Sequence, residues 1–136
     1  MPIPDDETQT ISKEEKRNRV KIDIYNHLIP KRYYEALSRH LGKPYPAAQS
    51  NPGIIDLDCR FRILDKYDGL VQVLSPGGAP LEGIANPKKA AELARIANDA
   101  MAEIVALHPD RFVGAVALVA TNDVDAALRE IERAIE

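Results

Sequence analysis

Two apolar runs fix most of what this chain can fold into. Leu70-Val-Gln-Val-Leu74 and Phe112-Val-Gly-Ala-Val-Ala-Leu-Val119 lack the polar alternation of a half-exposed strand. Such runs suit strands buried on both faces. Between them, Leu93, Ala97, Ala100, Ile104 and Leu107 recur at helical spacing. Asn86 is placed to cap that helix, Pro87 takes its first position, and the stripe ends at His108-Pro109. Two buried strands joined by a helix of this length run parallel, with the helix crossing over one face of the sheet.

The rest of the chain extends the same pattern. Val20 to Ile29 reads as an earlier strand, with Ile22, Ile24 and Leu28 on one face and Asp23, Tyr25 and His27 on the other. Two placements remain open for it. The polar face meets water in a strand buried on one side, or points inward in a closed barrel whose helices cover the apolar set. Pro30 suits the first position of a helix over Lys31 to Leu41, with Tyr33, Tyr34, Leu37 and Leu41 inward and Gly42 as its stop. A proline-rich loop over 43–55 follows, long enough to suspect a functional loop. A helix from Asp56 to Tyr67 turns Leu57, Phe61 and Leu64 inward. At the other end, Thr121-Asn-Asp123 offers caps for a helix marked by Val124, Ala127, Leu128, Ile131 and Ile135. Residues 1–19 are polar with alternating charge and read as a solvated tail, with helix-capping spacing at Ser12-Lys-Glu-Glu15.

Composition excludes several classes. The net charge of −3 gives no footprint for nucleic acid. A single cysteine, Cys59, forms no intrachain disulfide and no cysteine zinc cluster. No apolar run approaches the roughly 18 residues of a membrane span, and the polar start is not a signal peptide. A soluble, cytoplasmic protein without membrane or nucleic-acid partners is expected. A whole (β/α)₈ barrel takes ~250 residues. Three strands with their helices make about three-eighths of one, and Glu136 follows Ile135 with no stop signal. The expected fold class is therefore α/β, built of parallel β/α units: either a small three-stranded domain or the front part of something larger, a partial (β/α)₈ TIM barrel. The second is favoured because a three-stranded sheet would have two apolar edges to cover.

Candidate chemistry is sparse. Tyr25 and His27 stand at i and i+2 at a strand's C-terminal end, on one side of the sheet, a spacing that suits two ligands of one metal. Imidazole is a good ligand for zinc, whereas tyrosine is seldom chosen for a divalent ion. Asp23 is either a supporting partner or a carboxylate near a barrel floor. His40 and His108 sit at helix ends, where the dipole favours a cation, and read as structural. Ser75-Pro-Gly-Gly lacks the spacing of a phosphate cradle and reads as a loop lining a substrate pocket. Arg60 and Arg62 have guanidinium groups able to hold a carboxylate, although a solvated helix face is the ordinary reading. Cys59 reads as buried packing. Arg62 and Ser75 are the candidates for substrate contact.

Four stretches carry a family likeness. Ile22-Asp-Ile-Tyr-Asn-His-Leu-Ile-Pro30 resembles the opening strand of the amidohydrolase-2 family, which includes the aminocarboxymuconate-semialdehyde decarboxylase-like enzymes. Arg62-Ile-Leu-Asp65 through Val71-Gln-Val-Leu-Ser-Pro76 resembles the family's next helix and strand. Ala91-Glu-Leu-Ala-Arg-Ile-Ala-Asn-Asp99 resembles its third-unit helix, and His108-Pro-Asp-Arg-Phe-Val-Gly114 the approach to its third strand.

The resemblance covers residues 20–136 and implies the N-terminal part of a (β/α)₈ barrel. It also implies a divalent metal, commonly zinc, at the strand ends. Members decarboxylate or hydrolyse small carboxylated, often aromatic, compounds. By position, His27 matches the second histidine of the opening Asp-x-His-x-His, and Tyr25 stands where the first should be. The remaining histidines and a catalytic aspartate belong to later strands. The implied protein takes a small-molecule carboxylate substrate, and these residues by themselves are expected to be inactive. The alternative is a truncated, non-enzymatic module that forms a homo-oligomer or binds a partner through uncovered strands.

Overall fold

The computed structural model describes residues 19–46 and 51–135. The expected tail, apart from Arg19, and its capping segment at 12–15 lie outside these residues. Three strands form one sheet in the order β1-β2-β3, spanning Lys21–Leu28, Leu70–Pro76 and Phe112–Ala115. Both pairings are parallel, as the long crossovers require. The helices are α1 (Lys31–Leu41), α2 (Leu57–Leu64), α3 (Pro87–Leu107) and α4 (Val124–Ala134). The parallel β/α order is the one expected.

The helix boundaries follow local chemistry. Asp56, Asn86 and Asp123 cap α2, α3 and α4, each accepting a backbone N–H three residues on. Gly42 ends α1 with φ of 66°, a conformation that costs glycine little. Pro30 is the N-cap of α1 rather than its first residue. The α2 helix stops at Leu64, earlier than expected, and turns carry the chain to β2.

Two apolar clusters lie on the helix side of the sheet. Ile29, Tyr33 and Leu37 meet Leu93, Ala94 and Ala97 of α3. Leu28 and Leu74 meet Leu64, Met101 and Phe112. Each fully buried large side chain among these contributes about 1.5–3 kcal/mol. The expected burial of β2 and β3 on both faces does not hold. Gln72 and Leu74 are buried, but Val71 and Val73 are only half-buried, and Val113 is exposed. The second face of the sheet is open. β3 also ends at Ala115, four residues before the apolar run does.

The alternation expected of β1 is interrupted. Asp23 pairs with Gln72 and Asn26 with Leu74, so three steps along β1 match two along β2. This is a β-bulge. One extra residue exchanges the faces. Before the bulge, Asp23 lies on the helix side, bonded to Gln72. After it, Asn26 and Leu28 are buried and His27 is exposed, as is Tyr25 within the bulge. Ile22 and Ile24, expected under the helices, are exposed instead. The Asp23 carboxylate accepts the Tyr25 N–H (3.0 Å), and the Asn26 amide donates to the Asp23 and Val73 carbonyls (3.1 and 2.7 Å). The bulge is thus fixed by its own side chains.

Helix α4 is amphipathic, yet none of its residues is buried. It is held by polar contacts. Arg133 pairs with Asp99 of α3 (2.7 Å), and the Asn98 amide donates to Glu130 (2.7 Å). The Asn98 amide also donates to the Leu118 carbonyl (2.8 Å), and its oxygen accepts the Leu118 N–H (2.7 Å). Leu107, expected on the inner stripe of α3, is exposed at the helix end.

Candidate functional site

Everything with chemical potential on the sheet collects at the C-terminal ends of β1 and β2. Leu28 and Ile29, both fully buried, anchor the end of β1. His27 precedes them and faces the open side. Tyr25 stands beside it, edge to face, with ring centroids 5.6 Å apart. The two expected metal-ligand candidates are therefore neighbours, and Tyr25 is 85% exposed. Ser75 pairs with His27 across the sheet, and its hydroxyl lies 3.0 Å from His27 Nδ1. That hydroxyl also donates to the Asn26 carbonyl.

Beneath the site, on the helix side, lies a buried cation. Arg60 of α2 is 8% exposed. Its Nε donates to the Gly53 carbonyl (3.1 Å), and its Nη1 to Asn26 Oδ1 and Gln72 Oε1 (both 2.9 Å). Its Nη2 donates to the His27 carbonyl. Gln72 passes the network on to Asp23, its amide donating at 2.9 Å. Burial lowers the Arg60 pKa, and the Asp23 charge works against that. A cavity of about 300 Å³ adjoins the network, lined in part by Asn26, Asn51, Gly53, Arg60 and Gln72.

Arg60 was expected on a solvated helix face and is instead the centre of the buried network. The sequence held the signal. Arg60 falls between Leu57, Phe61 and Leu64 at the same helical spacing, and Gln72 interrupts an otherwise apolar strand. A polar group in either place needs a buried partner, and each supplies the other's. Arg62 is exposed on α2, outside the network. Of the two candidates for substrate contact, Ser75 therefore lies at the site, bonded to His27, while Arg62 does not join it.

The remaining sequence candidates resolve into structural roles. His40 Nε2 bonds the Ile84 carbonyl (2.8 Å), and His108 packs in a cluster with the rings of Phe61 and Phe112. Cys59 is half-buried at the start of α2 rather than buried. The loop after β2 is tied down by its own amides. Gly77 donates to the Leu28 carbonyl (2.9 Å) and Ala79 to the Tyr45 hydroxyl (2.7 Å). Those amides are not free to cradle a phosphate.

The ligand set is incomplete. Among the described residues, no three His, Cys, Asp or Glu side chains come together to hold a metal. His27 fits one coordination position, and its Nε2 has no hydrogen-bond partner among the described residues. Tyr25 offers a phenol beside it. This pair by itself does not make a closed or a catalytic metal site, which takes three or four ligands. No helix among the described residues is long and apolar enough to cross a membrane.

Comparison with known proteins accounts for this geometry. No protein-family model matches the chain. The gamma-resorcylate decarboxylase of Rhizobium radiobacter is 38% identical over 78 residues, covering 57% of this chain and 24% of the relative. The 2-amino-3-carboxymuconate-6-semialdehyde decarboxylase of Dictyostelium discoideum is 28% identical over 85% of this chain and 37% of its own length.

Two solved structures extend the match. The 2,6-dihydroxybenzoate decarboxylase complexed with 2,6-dihydroxybenzoate superposes with a TM-score of 0.67 at 30% identity, over 86% of this chain and 36% of that one. The dihydroxybenzoic acid decarboxylase of Polaromonas sp. JS666, with bound manganese and the inhibitor 2-nitroresorcinol, gives 0.66 at 30% identity, over 86% and 35%. The chain thus spans roughly a quarter to two-fifths of the length of the relatives it matches. The open face of the sheet corresponds to the interior of a barrel that three strands cannot close. In sequence and in fold the chain is similar to amidohydrolase-2 decarboxylases, over part of their (β/α)₈ barrel.

Proposed function

We propose that this chain supplies the opening strands of a metal-assisted decarboxylase acting on a small carboxylated aromatic compound. The observation that carries the reading is the place of His27. It stands exposed at the C-terminal end of β1, where barrel enzymes keep their active sites, with Nδ1 against the Ser75 hydroxyl. A divalent ion held there would polarise the substrate. Manganese in one relative and the usual zinc of the family are both compatible with one imidazole ligand. Decarboxylation is favoured over hydrolysis because the similar proteins named above are decarboxylases. Tyr25, beside His27, acts as a weak ligand or as a hydrogen-bond donor to substrate. Ser75 reaches substrate only if its hydroxyl leaves His27, and Arg62 would have to fold back from the surface.

With one imidazole, these residues do not turn over substrate by themselves. The test is a chimaera that joins this chain to the matching remainder of a resorcylate decarboxylase barrel, assayed for carbon dioxide release from 2,6-dihydroxybenzoate. Activity in a folded chimaera carrying Tyr25→His, and none in the isolated chain, is expected. A folded but inactive chimaera would refute the enzyme reading.

A second reading rests on a separate observation. Leu128, Ile131 and Val124 of α4 are 55%, 43% and 68% exposed, an apolar stripe with nothing over it among the described residues. A non-enzymatic module would cover that stripe by self-association, and sedimentation of the purified chain distinguishes the two.

A further inference from the structure

We infer that Ser75 is a positioning residue that holds His27 in one tautomer, with the proton on Nδ1 and the lone pair on Nε2. The inference rests on the proposed use of His27 for its purpose, but its geometry stands apart from it.

A serine hydroxyl has one proton to give and two lone pairs. Ser75 Oγ touches two groups, the Asn26 carbonyl and His27 Nδ1. The carbonyl can only accept, so the hydroxyl proton goes there. Toward His27, Oγ then presents a lone pair, and Nδ1 at 3.0 Å has to be the N–H donor. A neutral imidazole carries one ring proton, so Nε2 is left as the acceptor. The opposite arrangement turns the hydroxyl to Nδ1 and sets one of its lone pairs against the Asn26 carbonyl oxygen. That juxtaposition is repulsive, which favours the first arrangement.

The frame that holds the three groups is unusually constrained. Arg60 grips the His27 carbonyl and Asn26 Oδ1 from below. The Asn26 amide is tied to the Asp23 and Val73 carbonyls. The Tyr25 ring closes one side of the imidazole. Gly77 packs close enough to His27 that a Cβ there would stand 3.4 Å from the His27 Cβ. The backbone and Cβ of His27 are thereby held, and the Ser75 hydroxyl is the group that engages Nδ1. The consequence is a lone pair on Nε2, the nitrogen that Ser75 leaves free, ready for a cation. A histidine whose other nitrogen is fixed by a hydrogen bond is how metal-ligating imidazoles are generally prepared.

The molecule carries its own control. His40 Nε2 meets the Ile84 carbonyl at 2.8 Å, so it has to donate, which demands the opposite tautomer. The experiment is ¹⁵N NMR of the full chain with labelled histidine, without added metal and at a pH where imidazoles are neutral. Long-range couplings from the ring carbon protons report which nitrogen holds the proton. His27 is expected as Nδ1–H and His40 as Nε2–H. Ser75→Thr should preserve the His27 pattern, and Ser75→Ala should move it to Nε2–H. His27 found as Nε2–H in the wild-type chain overturns the inference, as does an unchanged pattern in folded Ser75→Ala. If Ser75→Ala does not fold, the wild-type spectrum set against His40 decides. A wild-type Nδ1–H pattern in a chain whose chimaera is inactive would sink the enzyme reading and leave this one standing.

Discussion

Replacing Arg60 by methionine is the sharpest test of how the site is supported. The substitution keeps a long side chain in α2 but removes every donor. Four acceptors lose their partner at once: Gly53 O, His27 O, Asn26 Oδ1 and Gln72 Oε1. A buried acceptor left unpaired costs about 1–3 kcal/mol. Water entering from the adjoining cavity recovers part of that, and methionine regains some apolar contact. Loss of one side of a buried polar network typically totals ~3–5 kcal/mol, and that is the expected destabilisation. Against a domain stability of about 5–15 kcal/mol, this is severe but measurable. Arg60→Lys keeps the charge but cannot fork to the same acceptors, so about half the loss is expected.

Urea unfolding followed by circular dichroism gives the number, with Arg62→Met as the internal control. Arg62 is exposed two positions away, and its replacement should shift stability by less than about 0.5 kcal/mol. The double cycle with Gln72→Leu should show a coupling of at least about 1 kcal/mol, because each residue satisfies the other. An Arg60→Met cost near that of Arg62→Met would refute the network as a support.

Other outcomes follow from other parts of the chain. Burial, with Tyr45 adding to it, pushes the Tyr33 phenol up to about 12. The folded state holds that proton more tightly than the unfolded chain, so stability is whole below about pH 10. On the order of 2–3 kcal/mol of it is lost as the pH climbs through about 12. Tyr33→Phe should flatten this alkaline loss, and an unchanged denaturation profile would contradict the assignment. Asn98→Ala strips both backbone groups of Leu118 of their partner and should cost about 2–3 kcal/mol. Faster hydrogen exchange along α4 is its signature, and unaltered exchange there would count against the clasp. Tyr25→His should raise the affinity of the chain for manganese or zinc by about tenfold or more, equivalent to ~1.4 kcal/mol. Isothermal titration showing no gain would mean that the two side chains do not converge on one ion.

The sequence was legible wherever local chemistry decides. Asn86 and Asp123 cap helices, Gly42 closes one, and the Leu93–Ala97–Ala100 stripe lies inward, all as spacing alone implied. It was illegible where one residue of register matters. Alternation placed Ile22 and Ile24 under the helices, but the bulge between Asp23 and Asn26 reverses the face, and nothing in a two-residue period announces an insertion. The same rule puts Tyr25 and His27 together, and they stay together although Tyr25 lies within the irregular step and His27 beyond it. Asn26 escaped notice because a lone asparagine beside a histidine looks like a strand end meeting water. Arg60 is illegible for a different reason. A charge ordinarily implies a solvated face, although its helical phase matches Leu57 and Leu64. The apolar runs at Leu70 and Phe112 reported strands meant for cover on both sides, which three strands do not provide.

The strand order has a further consequence for assembly. β1 and β3 are both edges, and they are different edges. Pairing β3 of one copy with β1 of the next would therefore be head-to-tail, a contact that has to close into a ring or run on without end. Each copy adds three strands. A barrel of this kind shuts at eight, and no whole number of threes reaches that count. Joining β3 to β1 in this way would thus be open-ended, with light scattering that climbs with concentration and finds no plateau. A discrete symmetric dimer would have to come from a face, or from two copies of one edge paired antiparallel about a two-fold axis.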